Sequence, residues 1–332
     1  MQQPKLIDKF YRHINYLRIS VTDRCNLRCI YCVPPKPVPK LSHTDILTYE
    51  EILHLVKTGV GLGISKVRIT GGEPLVRKGL YDFLAQLTDV QGLKDVSLTT
   101  NGLNLKRNAE KIRSAGIKRI NISLDTLNKQ KFKTITGCDR FSGVWESIMF
   151  ALETGFNPVK LNVVVLNGIN DDELSDIARL SFSYPFHIRF IEYMPIGNPG
   201  IEISNPPLLT PEVKKRISVL GRLIPIKNSI NDGPARRFKF AGAEGEIGFI
   251  SPLSEHFCNK CNRLRLTANG WLRPCLLSDY QADIKTSLRQ RSKDRHPADI
   301  FLNAITYKER MHYLGKSGCA DKVNDQMSKI GG

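Results

Sequence analysis

No stretch of this sequence is long and apolar enough to span a bilayer, and residues 1–13 lack the uninterrupted apolar core of a secretory leader. Lys5, Asp8, Lys9 and Arg12 interrupt that segment. These absences place the chain in the cytosol, away from membranes. Few aromatic residues stand beside the basic ones, which argues against a nucleic-acid surface built by stacking. Finally, no fourth cysteine or histidine sits close to Cys25, Cys29 and Cys32, so structural zinc is disfavoured there.

What the sequence does carry is positive charge and clustered thiols. The formal net charge of +17, from 49 Lys plus Arg against 32 Asp plus Glu, suits anionic partners such as nucleotides or nucleic acid without choosing between them. In a reducing compartment, thiols persist as metal ligands or nucleophiles more readily than as disulfides. Of the 8 cysteines, Cys138 and Cys319 stand alone and read as small buried hydrophobes. The rest form two tight trios.

Residues 14–195 alternate β-branched runs with amphipathic stretches, the pattern of βα units around a parallel sheet. Strands are predicted at 14–20, 66–70, 95–100, 119–124, 160–166 and 187–192. A helix is predicted over 48–62, with Thr48 and Glu51 as a capping box. Gly63, Gly116 and Gly155 are placed to end helices. The expected fold is α/β, an incomplete (βα)6 TIM-type barrel in residues 1–195, with a smaller α+β region, 196–332, covering its open side. Pro195, Gly197, Pro199, Gly200, Pro206, Pro207 and Pro211 mark a linker between the two.

Cys25, Cys29 and Cys32 have the spacing C-x3-C-x2-C in the loop that leaves the first predicted strand. Three thiolates can hold three irons of a cubane cluster and leave the fourth open. Tyr31 stands just before the third cysteine, and with it this run resembles the radical S-adenosylmethionine (SAM) enzymes. The resemblance implies that the open iron binds the amino and carboxylate groups of SAM and that electron transfer yields a 5′-deoxyadenosyl radical. Further matches close successive strands: Thr70-Gly71-Gly72-Glu73-Pro74, Thr99-Thr100-Asn101-Gly102, Ser123-Leu124-Asp125 and Glu192-Tyr193-Met194-Pro195. The glycines of the first permit close backbone approach.

Cys258, Cys261 and Cys275 form the second trio, C-x2-C-x13-C. Spacing alone leaves two readings open, a second cluster or a zinc site completed by His256. Both trios, the run Cys-Asn-Arg-Leu-Arg-Leu-Thr from Cys261 to Thr267, and the pair Gly331-Gly332 together closely resemble the GTP 3′,8-cyclase family of molybdenum cofactor biosynthesis over nearly the whole chain. The resemblance implies two 4Fe-4S clusters, SAM as cofactor and GTP as substrate, the second cluster binding guanine. It implies SAM contacts at Tyr31, Gly72, Ser123 and Met194. It implies GTP contacts at Arg18, Arg68, Thr99, Lys160, Arg263, Leu264 and Arg265. Arginine presents a planar fork to phosphate oxygens, and Arg263 and Arg265, two apart in a strand-like run, face the same way.

No catalytic residue is identified beyond the cluster-bound SAM, although Arg263, Arg265, Gly331 and Gly332 are candidates, the glycine pair by entering the active site. The family also implies a reductant protein, a homodimer, and hand-over of product to the cyclic pyranopterin monophosphate synthase. Two departures are Val33, where the family has methionine, and Asn167, where it has a basic residue. The rival readings are a peptide-modifying radical SAM enzyme, which usually has more C-terminal cysteines, and a zinc-containing nucleic-acid-binding protein, which leaves the first trio without a role.

Overall fold

A computed structural model describes residues 5–34, 39–196, 205–227, 233–290, 296–312 and 327–331. The strands β1 (Tyr16–Ser20), β2 (Lys66–Thr70), β3 (Asp95–Thr100), β4 (Ile120–Ser123), β5 (Val159–Val165) and β6 (His187–Glu192) are parallel neighbours in that order. The helices α1 (Tyr49–Gly61), α2 (Leu80–Thr88), α3 (Ala109–Ser114), α4 (Lys129–Thr136), α5 (Phe141–Glu153) and α6 (Leu174–Ser183) make the crossovers. Thr48 accepts from the Glu51 amide, and the Glu51 carboxylate returns the bond to the Thr48 amide, so α1 begins where the capping box places it. Gly63, Gly116 and Gly155 all take positive φ after their helices.

Later strands extend this sheet from both margins. Strand β9 (Glu246–Ile250) pairs parallel with β6, and β8 (Arg236–Phe240) and β7 (Leu223–Ile226) follow antiparallel. On the other margin, β10 (Arg263–Leu266) runs parallel to β1, followed by β11 (Trp271–Arg273) and β12 (Ala282–Asp283). The described residues thus form one 12-stranded sheet. The remaining helices are α7 (Thr210–Ile217), α8 (Lys285–Arg289), α9 (Pro297–Thr306) and α10 (Met327–Ile330). Pro211 opens α7 rather than belonging to a linker, because the first turn of a helix tolerates a residue without an N–H. Gly197, Pro199 and Gly200 lie outside the described residues. No helix among the described residues is long and apolar enough to cross a membrane.

The two faces of the parallel strands differ in chemistry. Leu17, Ile19, Val67, Ile69, Leu98, Ile120, Ile122, Leu161 and Val163 point outward and are buried under the helices. Inward positions carry Tyr16, Arg18, Lys66, Arg68, Ser97, Thr99, Asn121, Ser123, Lys160, Asn162 and Arg189. A parallel barrel ordinarily fills its centre with branched aliphatic side chains. Here the centre is polar and basic, which leaves it as a binding space.

Glu192 ties the barrel to the later region. Its buried carboxylate accepts from the backbone N–H of Thr210 at 2.9 Å and Leu253 at 2.8 Å, and from the amide and hydroxyl of Ser254. Glu192→Ala should therefore lower unfolding free energy by about 3 kcal/mol, since several buried donors lose their acceptor. Glu192→Gln should cost less, and the denaturation midpoints of the two variants check this. A loss below about 1 kcal/mol in the alanine variant would contradict the assignment.

Candidate active site

The loop after β1 carries the first trio, and backbone contacts with the loop after β2 fix its path. Gly72 N–H donates to the Thr22 carbonyl at 2.7 Å and Glu73 N–H to the Arg24 carbonyl at 2.9 Å. A Cβ on Gly71 would stand 2.7 Å from the Thr22 carbonyl oxygen, and one on Gly72 would strike the Arg24 carbonyl. The glycines thus permit a close approach, and the backbone they approach is the cysteine loop itself. Glu73, fully buried, accepts from Leu75 N, Thr100 Oγ1 and Asn101 N at 2.6–3.0 Å, which pins the loops after β2 and β3 to each other. Burial pushes its carboxyl up to about 7 against these three donors.

All of Cys25, Cys29, Cys32, Cys258, Cys261 and Cys275 line one cavity of about 300 Å³ at the carboxyl ends of the barrel strands. The thiols are free and half-buried. Burial raises those of Cys25, Cys29 and Cys258, and raises Cys32 to about 12, so bound metal charge is needed to make them thiolates at neutral pH. Burial acts on Cys261 too, but Lys308 and Arg263 outweigh it and bring the thiol down to about 6. Lys308 Nζ lies 3.4 Å from Cys261 Sγ and is anchored by the carbonyls of Arg263 and Pro274. Leu27 N–H donates to Cys25 Sγ and Leu277 N–H to Cys275 Sγ, each at 3.4 Å, the kind of hydrogen bond that supports cluster sulfurs. Both trios fit 4Fe-4S ligation by three thiolates.

Tyr31, Gly72, Ser123, Met194, Arg18, Arg68, Thr99, Arg263 and Arg265 line the same cavity. The Tyr31 hydroxyl donates to Asp125 Oδ2 at 2.7 Å, and Val164 N–H donates to Oδ1, so a carboxylate after β4 fixes the aromatic ring. Lys160 sits one inward position below Asn162, in register with Asn121 and His187 and deeper than the cavity lining. Leu264 points the other way, into the hydrophobic core, because strand alternation sends it opposite to Arg263 and Arg265. Gly331 is buried against Ser20 and Thr70, and its carbonyl accepts from Arg265 Nη1 at 2.6 Å. Gly332 and Cys319 lie outside the described residues, and Cys138 is half-buried rather than buried, between α4 and α5.

Several lining residues have no counterpart in the sequence reading: Tyr16, Asn162, Arg189, Phe257 and His312. Strand alternation from Arg18 and Lys160 would reach Tyr16, Asn162 and, across the β5–β6 pairing, Arg189. His256, named beforehand as a zinc partner, has its Nδ1 3.2 Å from His312 Nε2.

Inward charge is mostly positive. Burial, followed by Arg265, holds Arg18 well below its ordinary value, and burial with Arg263 brings Arg265 to about 9. Burial, then Arg189, Arg119, Arg68 and Lys66, lower Lys160 to about 6. Asp95, paired with Lys66 and Arg119, and Glu246, paired with Arg237 and His187, offset part of this charge. Thr70 Oγ1, Thr99 Oγ1, Asn162 Oδ1 and the Tyr16 hydroxyl are buried without a hydrogen-bond partner among the described residues. Excess positive charge beside unsatisfied polar atoms is the complement of a polyanionic, hydrogen-bonding ligand.

The first part of the chain, residues 19–181, matches the radical SAM superfamily, and residues 186–314 match the Molybdenum Cofactor Synthesis C family. The GTP 3′,8-cyclase of Heliobacterium modesticaldum is 47% identical over 98% of this chain and 100% of its own length. That of Moorella thermoacetica is 47% identical over 98% of this chain and 99% of its own. In fold, the chain is similar to the crystal structure of Streptococcus suis SuiB, with a TM-score of 0.61 at 14% identity over 89% of this chain and 67% of that one. With both cysteine trios in place around one basic cavity, the chain belongs to the GTP 3′,8-cyclase family of radical SAM enzymes.

Proposed function

We infer that this chain is a GTP 3′,8-cyclase, a lyase that joins ribose C3′ to guanine C8 to give 3′,8-cyclo-7,8-dihydro-GTP at the start of molybdenum cofactor biosynthesis. The observation that carries this reading is the meeting of two cysteine trios and a cationic barrel floor in one cavity. Cys25, Cys29 and Cys32 would hold the first cluster, which would supply the one-electron cleavage of SAM and thereby the radical chemistry needed at the ribose 3′ position.

The chain's own residues do the positioning. Tyr31, held by Asp125, and Gly72, Ser123 and Met194 are assigned to the SAM end. Arg18, Arg68, Lys160, Arg263 and Arg265 are assigned to the triphosphate, with Thr99 presenting its unsatisfied hydroxyl to the nucleotide; Leu264 contributes through its backbone alone. Bidentate arginine contacts at several phosphate oxygens restrict the ribose to one pose, which is what a radical transfer between two bound molecules requires. Gly331, held by Arg265, is assigned to the rim of the nucleotide site, together with Gly332. The two family matches, 19–181 and 186–314, support two successive units, the second bearing the second trio, and they meet somewhat before the division at 195 expected from the sequence. A cytosolic location, a reductant protein, homodimerisation, and transfer of product to the cyclic pyranopterin monophosphate synthase complete the reading.

Anaerobic reconstitution tests the core of it. The parent chain should hold about eight irons, and a variant with either trio changed to alanine about four, with GTP conversion abolished in both. A parent holding about four irons and one zinc would remove the second cluster and the substrate assignment with it.

A second expectation follows from Lys160. Burial and the facing groups Lys66, Arg68, Arg119, Arg189 and His187, with Glu246 opposing them, bring its pKa to about 6, so the side chain is largely the uncharged amine at pH 7.5 in the empty barrel. A triphosphate raises its pKa, so GTP should bind with proton uptake, and affinity should rise as pH falls from about 8 toward 6. Below about 6, Lys160 is charged in both states and its contribution levels off. Calorimetry in buffers of different ionisation enthalpy should find this uptake in the parent and not in Lys160→Met; equal uptake in the two would contradict the assignment. Deleting Gly331 and Gly332 should abolish conversion while leaving the iron content unchanged.

A further inference from the structure

His256 and His312 take no part in the activity described above, yet they stand with Cys258 as a donor set. The donor atoms of these three half-buried side chains all lie within 4.8 Å of one another. Neither Cys261 nor Cys275 belongs to that group.

The neighbourhood also fixes the His312 ring. Its Nε2 lies 2.9 Å from the Pro252 carbonyl and 3.2 Å from His256 Nδ1; the carbonyl is the nearer and can only accept, which places the ring proton on Nε2. His312 Nδ1 then holds a lone pair, and it is buried without a hydrogen-bond partner among the described residues. One ring nitrogen donating to a backbone carbonyl while the other offers its lone pair is the usual arrangement of a metal-ligating histidine. Burial raises the Cys258 thiol and the His312 backbone opposes that rise, so this stretch of chain lies beside the sulfur.

Two imidazoles and one thiolate are a zinc donor set that leaves a fourth position for water. We propose that His256, Cys258 and His312 bind one zinc(II) ion, and that zinc held there excludes the second iron-sulfur cluster because Cys258 cannot serve both. The exclusion rests on the two-cluster reading; the zinc site does not. Zinc would then act as a competitor during cluster assembly, admitted by histidines that the cluster itself does not use. The first trio has no such neighbours, since His256, Cys258 and His312 are the set of this kind found among the described residues.

The full-length chain, stripped of iron under anaerobic conditions with its thiols reduced, is titrated with cobalt(II) as a spectroscopic stand-in for zinc. One equivalent should bind with tetrahedral visible bands and a thiolate-to-cobalt charge-transfer band, and zinc should displace it. The charge-transfer band should vanish in Cys258→Ser, and tight binding should be lost in the His256→Gln/His312→Gln double variant. Cys261→Ser and Cys275→Ser should retain both features, and circular dichroism should report all variants folded. Binding that survives the double histidine change, or that disappears in Cys261→Ser, would overturn the site. In a second arm, zinc-loaded parent is reconstituted with iron and sulfide. It should stop near four irons, whereas the double histidine variant should reach about eight with or without zinc. A parent that reaches about eight irons despite bound zinc would overturn the exclusion. A parent that stops near four even without zinc would remove the second cluster and the exclusion together, and the cobalt titration alone would then decide the site.

Discussion

Arg18, Lys66, Arg68, Lys160, Arg189, Arg263 and Arg265 face one another across the interior of the barrel, and folding has to hold them there. Burial first, and the repulsion of neighbouring cations second, lower Arg18, Arg265 and Lys160. The outward faces of the same strands supply the opposing term, an almost unbroken hydrophobic layer under the helices. The barrel is thus assembled from outside, and its centre is left short of negative charge. A bound triphosphate relieves the repulsion, so ligand affinity and the cost of the empty fold are two measures of one electrostatic imbalance.

Against that basic floor, the two trios sit in different fields. The first lies near Asp125 and Glu73, with Tyr31 and Asn101 bridging the loops. The second lies beside Lys308 and Arg263, which favour a thiolate at Cys261. Protein charge and hydrogen bonds to sulfur are levers on cluster behaviour, so the same trio of residue types is placed in two unlike environments within one cavity.

Much of this was legible in the sequence, where local chemistry decided the outcome. The capping box at Thr48 and Glu51, the glycines after three helices, the β-branched strand runs and the cysteine spacings each act within a few residues. Strand alternation further put Arg263 and Arg265 on one face, while Arg18, Arg68 and Lys160 were named by the family resemblance alone. What was hidden depends on residues far apart in the chain: Glu192 with Leu253 and Ser254, Lys308 with Cys261, Tyr31 with Asp125. Such pairs leave no periodic trace. The pairing of β10 with β1 was equally invisible, and it is what brings the second trio to the first. Pro211 misled as a breaker because proline at a helix start and proline in a loop look alike when the helix is only eight residues long.

The placement of Gly331 bears on the order in which the molecule assembles. It packs on Ser20 and Thr70 and is held by Arg265, three residues separated by most of the chain. None of these contacts exists until β1, β2 and β10 are already side by side, so docking of this segment has to follow closure of the sheet. By the same reasoning it can leave without any strand separating from its neighbour. Hydrogen exchange at Gly331, read against that of β1, would then trace a late folding event whose last partner is an arginine assigned to the nucleotide.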